Sequence, residues 1–148
     1  MRGILFDLEY ALAEVPKVLQ ASGVAERCQC VSGSFFESVP IGAQLYLIAR
    51  VLFNWDDDRA LRILKQARAA MKPNATLLMV EMALPDAGPA AAAESATSLN
   101  LLALLGVTLR TVSEYHALLA QAGFTVRRSD KMAQTEFMLF ETGPLNPS

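Results

Sequence analysis

The stretch 43–84, AQLYLIARVLFNWDDDRALRILKQARAAMKPNATLLMVEMAL, sets the fold, because it holds two apolar runs around one amphipathic segment. Residues 43 to 52 carry little polar relief, the pattern of a strand covered on both faces. Asn54 and Asp56 to Asp58 supply caps and negative charge for a helix N-terminus. That helix is expected to reach about Met71, with Leu61, Ile63, Leu64 and Ala67 facing inward, and to stop before Lys72-Pro73-Asn74. Residues 75 to 84 then read as a second buried strand, interrupted by one carboxylate, Glu81.

The same alternation extends in both directions. Upstream, Gly3 to Leu8 is a short apolar run that meets an acidic residue, Asp7, near its end, and reads as a buried strand. Residues 9 to 22 place Leu12, Val15, Val18 and Leu19 at helical spacing; Pro16 restarts the helix and Gly23 stops it. Arg27 to Val31 alternates as a strand, and Ser32-Gly33-Ser34 turns the chain. Downstream, Pro85 to Ala93 reads as a loop, followed by helices at about Glu94 to Leu105 and at Val112 to Ala122, the second capped by Thr111. Phe124 to Lys131 and Glu136 to Thr142 are strand-like and pair as an antiparallel hairpin, and Gly143 to Ser148 read as a disordered tail. Strands alternating with helices and finished by a hairpin make an α/β sheet, mostly parallel.

Composition narrows the function. Of 148 residues 53% are hydrophobic and 19% charged, below the usual quarter. Two readings stand: apolar surface that faces a partner, or a count inflated by the alanine run 90–93. A net charge of −2 and a pI near 5.4 argue against a nucleic-acid partner; Arg127, Arg128 and Lys131, the tight basic cluster, read as a solvated strand end. Cys28 and Cys30 share one face of a strand, too close for a structural disulfide and too few for zinc, so no metal is expected and the thiols read as reduced and half-buried. No apolar run reaches membrane-spanning length and no signal peptide is evident, so a cytoplasmic location is expected.

In doubly wound sheets ligands lie beyond the carboxyl ends of the strands, where Asp7 sits. An acidic side chain there can accept hydrogen bonds from both hydroxyls of a ribose; it can equally be an ordinary turn or helix cap. The segments G-I-L-F-D-L at 3–8, V-S-G-S-F-F at 31–36, R-V-L-F-N-W-D-D-D-R-A at 50–60 and V-E-M-A-L-P at 80–85 add weight to the first of these readings. With L-N-L-L at 99–102, R-T at 110–111 and A-G-F at 122–124, their order resembles the C-terminal part of the class I small-molecule O-methyltransferases that use S-adenosylmethionine. The resemblance covers about residues 3 to 141 and rests on the combined order of the blocks.

The resemblance implies a Rossmann-like methyltransferase sheet, with residues 1–142 a partial domain, and roles for matched positions. Asp7 would bind the cofactor's ribose with Leu8 beside it. Ser34 and Phe35 stand where the family has an acidic and an apolar residue against the adenine; Phe35 can pack on the ring and Ser34 offers a hydroxyl. Glu81 matches a carboxylate that orients the catalytic base, and Asn100 falls on the helix lining the acceptor pocket. A small aromatic or polyketide-like acceptor is implied.

Departures from the family pattern are equally informative. The family reads His-Asp-Trp where this chain has Phe53-Asn54-Trp55. A positioned base of that kind contributes roughly 10² to 10⁴ in rate, and phenylalanine accepts no proton. Leu109 replaces a second carboxylate and Ala49 a lysine; the single histidine, His116, reads as a mid-helix surface or packing residue. The eight glycines form no G-x-G cluster, so the glycine-rich turn that approaches the cofactor is not encoded, nor is the family's helical N-terminal dimerisation domain. The first strand of the family sheet, its central member, is expected to be missing, which leaves the strands at 3–8 and 43–52 each with an open edge. Self-association or a complementing chain would cover them. Three readings follow: a methyltransferase that works with a partner supplying strand and loop, a non-catalytic remnant or interaction module, and S-adenosylmethionine chemistry that needs no base.

Overall fold

A computed structural model describes residues 1–87, 109–135 and 137–145. Its centre is β4 (Thr76–Leu84), in which Leu77, Met79 and Glu81 share one face and are each fully buried. The period-2 alternation of a strand thus puts a carboxylate at a core position. β3 (Leu45–Ala49) lies parallel to β4, and the helix between them, α3 (Asp57–Ala70), is the crossover. The Asp56 side chain caps α3 by accepting the Arg59 N–H, and Ala60, Ile63, Leu64 and Ala67 face the core. Leu61, expected inward, is half-buried; Ala60 takes the inner position.

On the other side of β4 lies the expected hairpin. β6 (Phe124–Lys131) and β7 (Phe137–Pro144) pair antiparallel, and β7 also runs antiparallel to β4, giving the order β3-β4-β7-β6. The final strand runs through Gly143 and Pro144, both buried, so the tail expected from Gly143 starts later; β6 pairs Thr125 with Gly143, and the Leu145 N–H reaches the Gly123 carbonyl. Two residues unforeseen as a strand, β5 (Arg110–Thr111), pair parallel with Ala83 and Leu84 at the carboxyl end of β4. They lead into α4 (Val112–Gln121), whose Thr111 and Glu114 close a reciprocal capping box, and whose Tyr115, Leu118 and Leu119 complete the core with α3.

A second, two-stranded sheet stands apart. β1 (Gly3–Asp7) pairs parallel with β2 (Cys28–Ser32). Between them run α1 (Glu9–Leu12) and α2 (Val15–Ala21), with Pro16 in the first turn of α2. The break resets the helical phase: Leu12 is buried and Val15 and Leu19 are half-buried, whereas Val18, expected inward, is 62% exposed. Gly23 ends α2 at φ +65°, where its missing Cβ avoids strain. Cys28 and Cys30 are half-buried and unpaired, as the spacing suggests.

Among the described residues β1 pairs only with β2, and β3 only with β4. The opposite edges of β1 and β3 therefore carry no backbone partner, as the resemblance implies for a sheet without its central strand. β3 is not covered on both faces as expected: Leu47 is 64% exposed while Tyr46 and Ile48 turn to the core. The reason is that α1 and α2 pack on β2, and among the described residues no helix covers the Leu45–Leu47 face.

Candidate functional site

The carboxyl ends of β1 and β2 bring four of the predicted residues together, Asp7, Leu8, Ser34 and Phe35. Asp7 is the last residue of β1, exposed, with Oδ1 accepting the Leu8 N–H at 2.7 Å. Leu8 opens α1, its carbonyl accepting the N–H groups of Ala11 and Leu12. The Asp7 carbonyl accepts the Gly33 N–H at 3.0 Å, so the turn after β2 lies directly against it. A Cβ at Gly33 would stand 2.7 Å from the Phe6 ring, which is why this turn takes glycine. Ser34 follows, its Oγ accepting the Phe36 N–H at 3.3 Å, and holds the turn that presents Phe35.

The Phe35 ring joins this end of the molecule to the main sheet. It meets Phe36 edge-on with centroids 4.9 Å apart, Phe36 meets Trp55 the same way at 4.9 Å, and Phe35 and Trp55 are 6.3 Å apart. Such edge-to-face contacts contribute about 0.5–1.5 kcal/mol each beyond area burial. Arg62 secures the same contact by donating to the Phe36 carbonyl at 2.9 Å.

Glu81 organises the loop that follows β3. Its Oε1 accepts the N–H groups of Val51 and Leu52, both at 2.8 Å, at the start of a short 3-10 turn, Leu52–Asn54. Burial pushes the carboxyl above the usual range, and the N–H donors of Leu52, Val51 and Phe53 together with the charge of Arg110 offset only part of that. Its Oε2 has no hydrogen-bond partner among the described residues, nor has the buried hydroxyl of Tyr115, whose own pKa burial and the Glu81 charge push up. Arg50, just before this loop, has φ +58°, a left-handed conformation that a non-glycine side chain rarely takes. Asn54 points its amide back at the carbonyls of Arg50 and Val51, 3.3 Å from each.

Arg110 is the residue that sequence reasoning missed. It is 6% exposed and spans the loop: Nε donates to Asp57 Oδ1 at 2.8 Å, Nη1 to the Leu52 carbonyl at 3.0 Å, and Nη2 to the Trp55 carbonyl at 2.7 Å. The signal was present in the R-T pair at 110–111, but a lone arginine after an apolar run reads as a solvated cation. Beside it opens a cleft of about 450 Å³, whose walls include Phe53, Trp55, Leu109 and Leu118, with Asp56, Asp57 and Glu114 among its polar groups. The positions of Phe53 and Leu109, remote in sequence, thus face one space. His116 does not line it; its ring stands edge-on to Phe140 at 5.9 Å, a packing role as expected. Asn100 and the helix expected around it lie outside the described residues. Among the described residues no helix is long and apolar enough to cross a membrane.

The sequence model of the O-methyltransferase domain matches residues 1–125. The mitomycin biosynthesis 6-O-methyltransferase of Streptomyces lavendulae is 42% identical over 129 residues, 87% of this chain but 36% of that protein. The structure of the mitomycin 7-O-methyltransferase MmcR superposes with a TM-score of 0.86 at 38% identity, over 97% of this chain and 42% of that one. NcsB1, an O-methyltransferase from neocarzinostatin biosynthesis solved with S-adenosylmethionine and 2-hydroxy-5-methyl naphthoic acid, superposes at 0.83 and 29% identity, over 98% of this chain and 42% of that one. The chain therefore spans about two fifths of the length of these relatives. The superposition covers both sheets, so β1-β2 and β3-β4-β7-β6 hold the relative positions they have in the longer proteins.

Proposed function

Because the chain belongs to the O-methyltransferase domain family, we propose that it is the acceptor-side portion of an S-adenosylmethionine-dependent small-molecule methyltransferase, and that it works once a further strand fills its split sheet. The observation that carries this reading is the pair of open edges on β1 and β3, in a chain whose two sheets superpose together on complete enzymes. An inserted strand would hydrogen-bond to both edges, and a glycine-rich turn at its end would reach the carboxyl ends where Asp7 and Phe35 stand.

The residues present fit the adenosyl half of the cofactor. Asp7 is exposed, and only its Oδ1 is engaged, in a local hydrogen bond, which leaves Oδ2 to accept ribose hydroxyls. Leu8 flanks it, Ser34 offers its hydroxyl, and the half-buried Phe35 ring provides an apolar wall for the adenine. When bound, the cofactor supplies an electrophilic methyl group on a sulfonium. This chain's share of the work is to orient the adenosine with Asp7 and Phe35, and to seat the acceptor with Asn100 and the cleft walls, Trp55 and Leu109. Glu81 holds the Val51–Asn54 turn in shape. The acceptor in this reading is a small aromatic or polyketide-like molecule, with hydroxyl oxygen the nucleophile by family precedent.

Isothermal titration with S-adenosylhomocysteine tests the proposal. The chain is titrated alone and again after mixing with the N-terminal portion of the mitomycin relative that it does not cover. No binding alone and micromolar binding in the mixture is the expected result. Micromolar binding by the chain alone would remove the need for an added strand, and silence in both titrations would leave a non-catalytic remnant.

A further inference from the structure

Two crossovers fix which face of the split sheet each helix occupies. With the two sheets placed as in the longer relatives, the chain moves from β1 to β2 away from the gap on one side, and from β3 to β4 away from it on the other. Connections between parallel strands are right-handed in about 98% of cases, so crossovers that run in opposite directions put their helices on opposite faces. α3 lies on the face to which Tyr46 and Ile48 turn. α1 and α2 therefore belong to the other face, the one that Leu45 and Leu47 share. Along β3 that face is bare: Leu47 is 64% exposed and Leu45 48%, and among the described residues no helix lies on it. Ile4 and Leu5 alternate across β1 and are both exposed, so one of the two continues the apolar strip on the far side of the gap. No charge interrupts Gln44 to Ala49. A contiguous exposed apolar strip of this kind marks an interaction surface, which a lone exposed leucine does not.

Resting on the proposed function above, we infer that the polypeptide filling the gap brings a helix as well as a strand, and that this helix docks on the Leu45–Leu47 face with Leu47 as its anchor. A strand between β3 and β1 that continues toward β1 crosses the sheet in the same sense as the β1-to-β2 connection. The handedness rule then lays its helix beside α1 and α2, over the bare face. The opposite sense would send the helix to the face that α3 already covers. The five residues of β3 span about 16 Å, so their cover takes a helix of about 11 residues, three turns. Its inner stripe is aliphatic, to match Leu45 and Leu47, and its outer side polar. The relatives hold the length to supply it, since the superposed part takes up 42% of MmcR. Edge hydrogen bonds are a weak hold, because each replaces a bond to water, whereas covering Leu47 removes apolar surface from water outright. Side-chain burial on this face is thus the main source of affinity for the complementing chain, and the strand edges set its register.

Isothermal titration of the chain with the N-terminal portion of the mitomycin relative that it does not cover, run without cofactor, reads this contact directly. Leu47→Ala is expected to weaken the complex by about tenfold and Leu47→Lys by about a hundredfold or more. Both variants are expected to melt as the unmutated chain does, because the side chain they change is exposed. Leu145→Lys removes a similarly exposed leucine beyond the end of β7, two strands away from β3, and is expected to leave the affinity unchanged. In carbene footprinting, labelling of Leu45 and Leu47 is expected to fall severalfold when the complex forms. A complex as tight with Leu47→Lys as with the unmutated chain overturns the inference, and so do equal losses in Leu47→Lys and Leu145→Lys or unchanged labelling at Leu47. A strand alone would then fill the gap, and the proposed function would stand. No complex with the unmutated chain removes the proposed function itself, and the docking surface with it.

Discussion

Glu81 and Leu52 lie 29 residues apart in the chain, yet Glu81 Oε1 accepts the Leu52 N–H at 2.8 Å in a fully buried setting. The carboxylate is thus the hinge between β4 and the loop after β3, and its desolvation is offset only partly by the donors it meets. Burial makes the folded chain hold the Glu81 proton more tightly than the unfolded chain does. That contribution to stability is fully present below the unfolded value, near pH 4.5, and is lost as pH rises through the raised folded value. Glu81→Gln keeps an oxygen for Val51 and Leu52 but does not titrate. The melting temperature of the wild type minus that of the Gln variant, followed by circular dichroism, is expected to fall as pH rises from 4.5; a flat difference would show that Glu81 is not desolvated. Glu81→Ala leaves both donors unmet and is expected to cost about 1–3 kcal/mol for each in urea denaturation.

Asp7 differs from Glu81 in being exposed and in bonding only to its neighbour's N–H. Its removal should therefore leave the fold within about 0.5 kcal/mol of wild type. If its free oxygen accepts ribose hydroxyls, Asp7→Ala removes charge-assisted bonds of about 1.5–3 kcal/mol each, and S-adenosylhomocysteine affinity of the complemented chain should fall about a hundredfold. Unchanged affinity in the titration would take Asp7 out of the site.

Local signals in the sequence were reliable wherever a single residue decides. The Asp56 and Thr111 caps, the Gly23 stop, the restart at Pro16 and the hairpin all appear where residue chemistry puts them. What depends on distant partners was less legible. Val18 and Leu47 are exposed although their patterns are apolar, because burial is set by which element packs against them rather than by spacing. Arg110 shows the same limit at the site. Its three acceptors lie 53 to 58 residues away, so nothing near it in sequence announces a buried guanidinium. The open edges and the clustering of Asp7, Ser34 and Phe35 followed from family order, which periodicity alone does not contain.

Gly33 faces the Phe6 ring so closely that an added methyl would stand 2.7 and 2.9 Å from two ring carbons. Phe6 is half-buried between β1 and the turn after β2, so the ring yields only by repacking. Gly33→Ala is expected to cost about 1–3 kcal/mol and to disturb the presentation of Ser34 and Phe35. Adding Phe6→Leu to Gly33→Ala should recover part of the loss, a coupling readable from a double-mutant cycle in urea. Full additivity would mean that the ring is not what excludes the methyl group.

Arg110 tests whether the loop at 50–57 is held by charge or by carbonyl bonding. Asp57, its ionic partner, has a side chain 81% exposed, so water stabilises that carboxylate whether or not the pair forms. The Leu52 and Trp55 carbonyls have no such alternative to the same degree, since Leu52 is fully buried and Trp55 half-buried. Asp57→Asn is therefore expected to cost less than about 1 kcal/mol. Arg110→Met, which keeps the apolar stem but leaves both carbonyls unmet, is expected to cost roughly 2–4 kcal/mol and to shift Trp55 emission to the red as the loop loosens. Arg110→Lys should fall between them, because one ammonium cannot reproduce the guanidinium fork that reaches Leu52, Trp55 and Asp57 together. If urea unfolding followed by Trp55 fluorescence gave Asp57→Asn a cost equal to that of Arg110→Met, the ion pair rather than the two carbonyls would be what fixes the cleft wall.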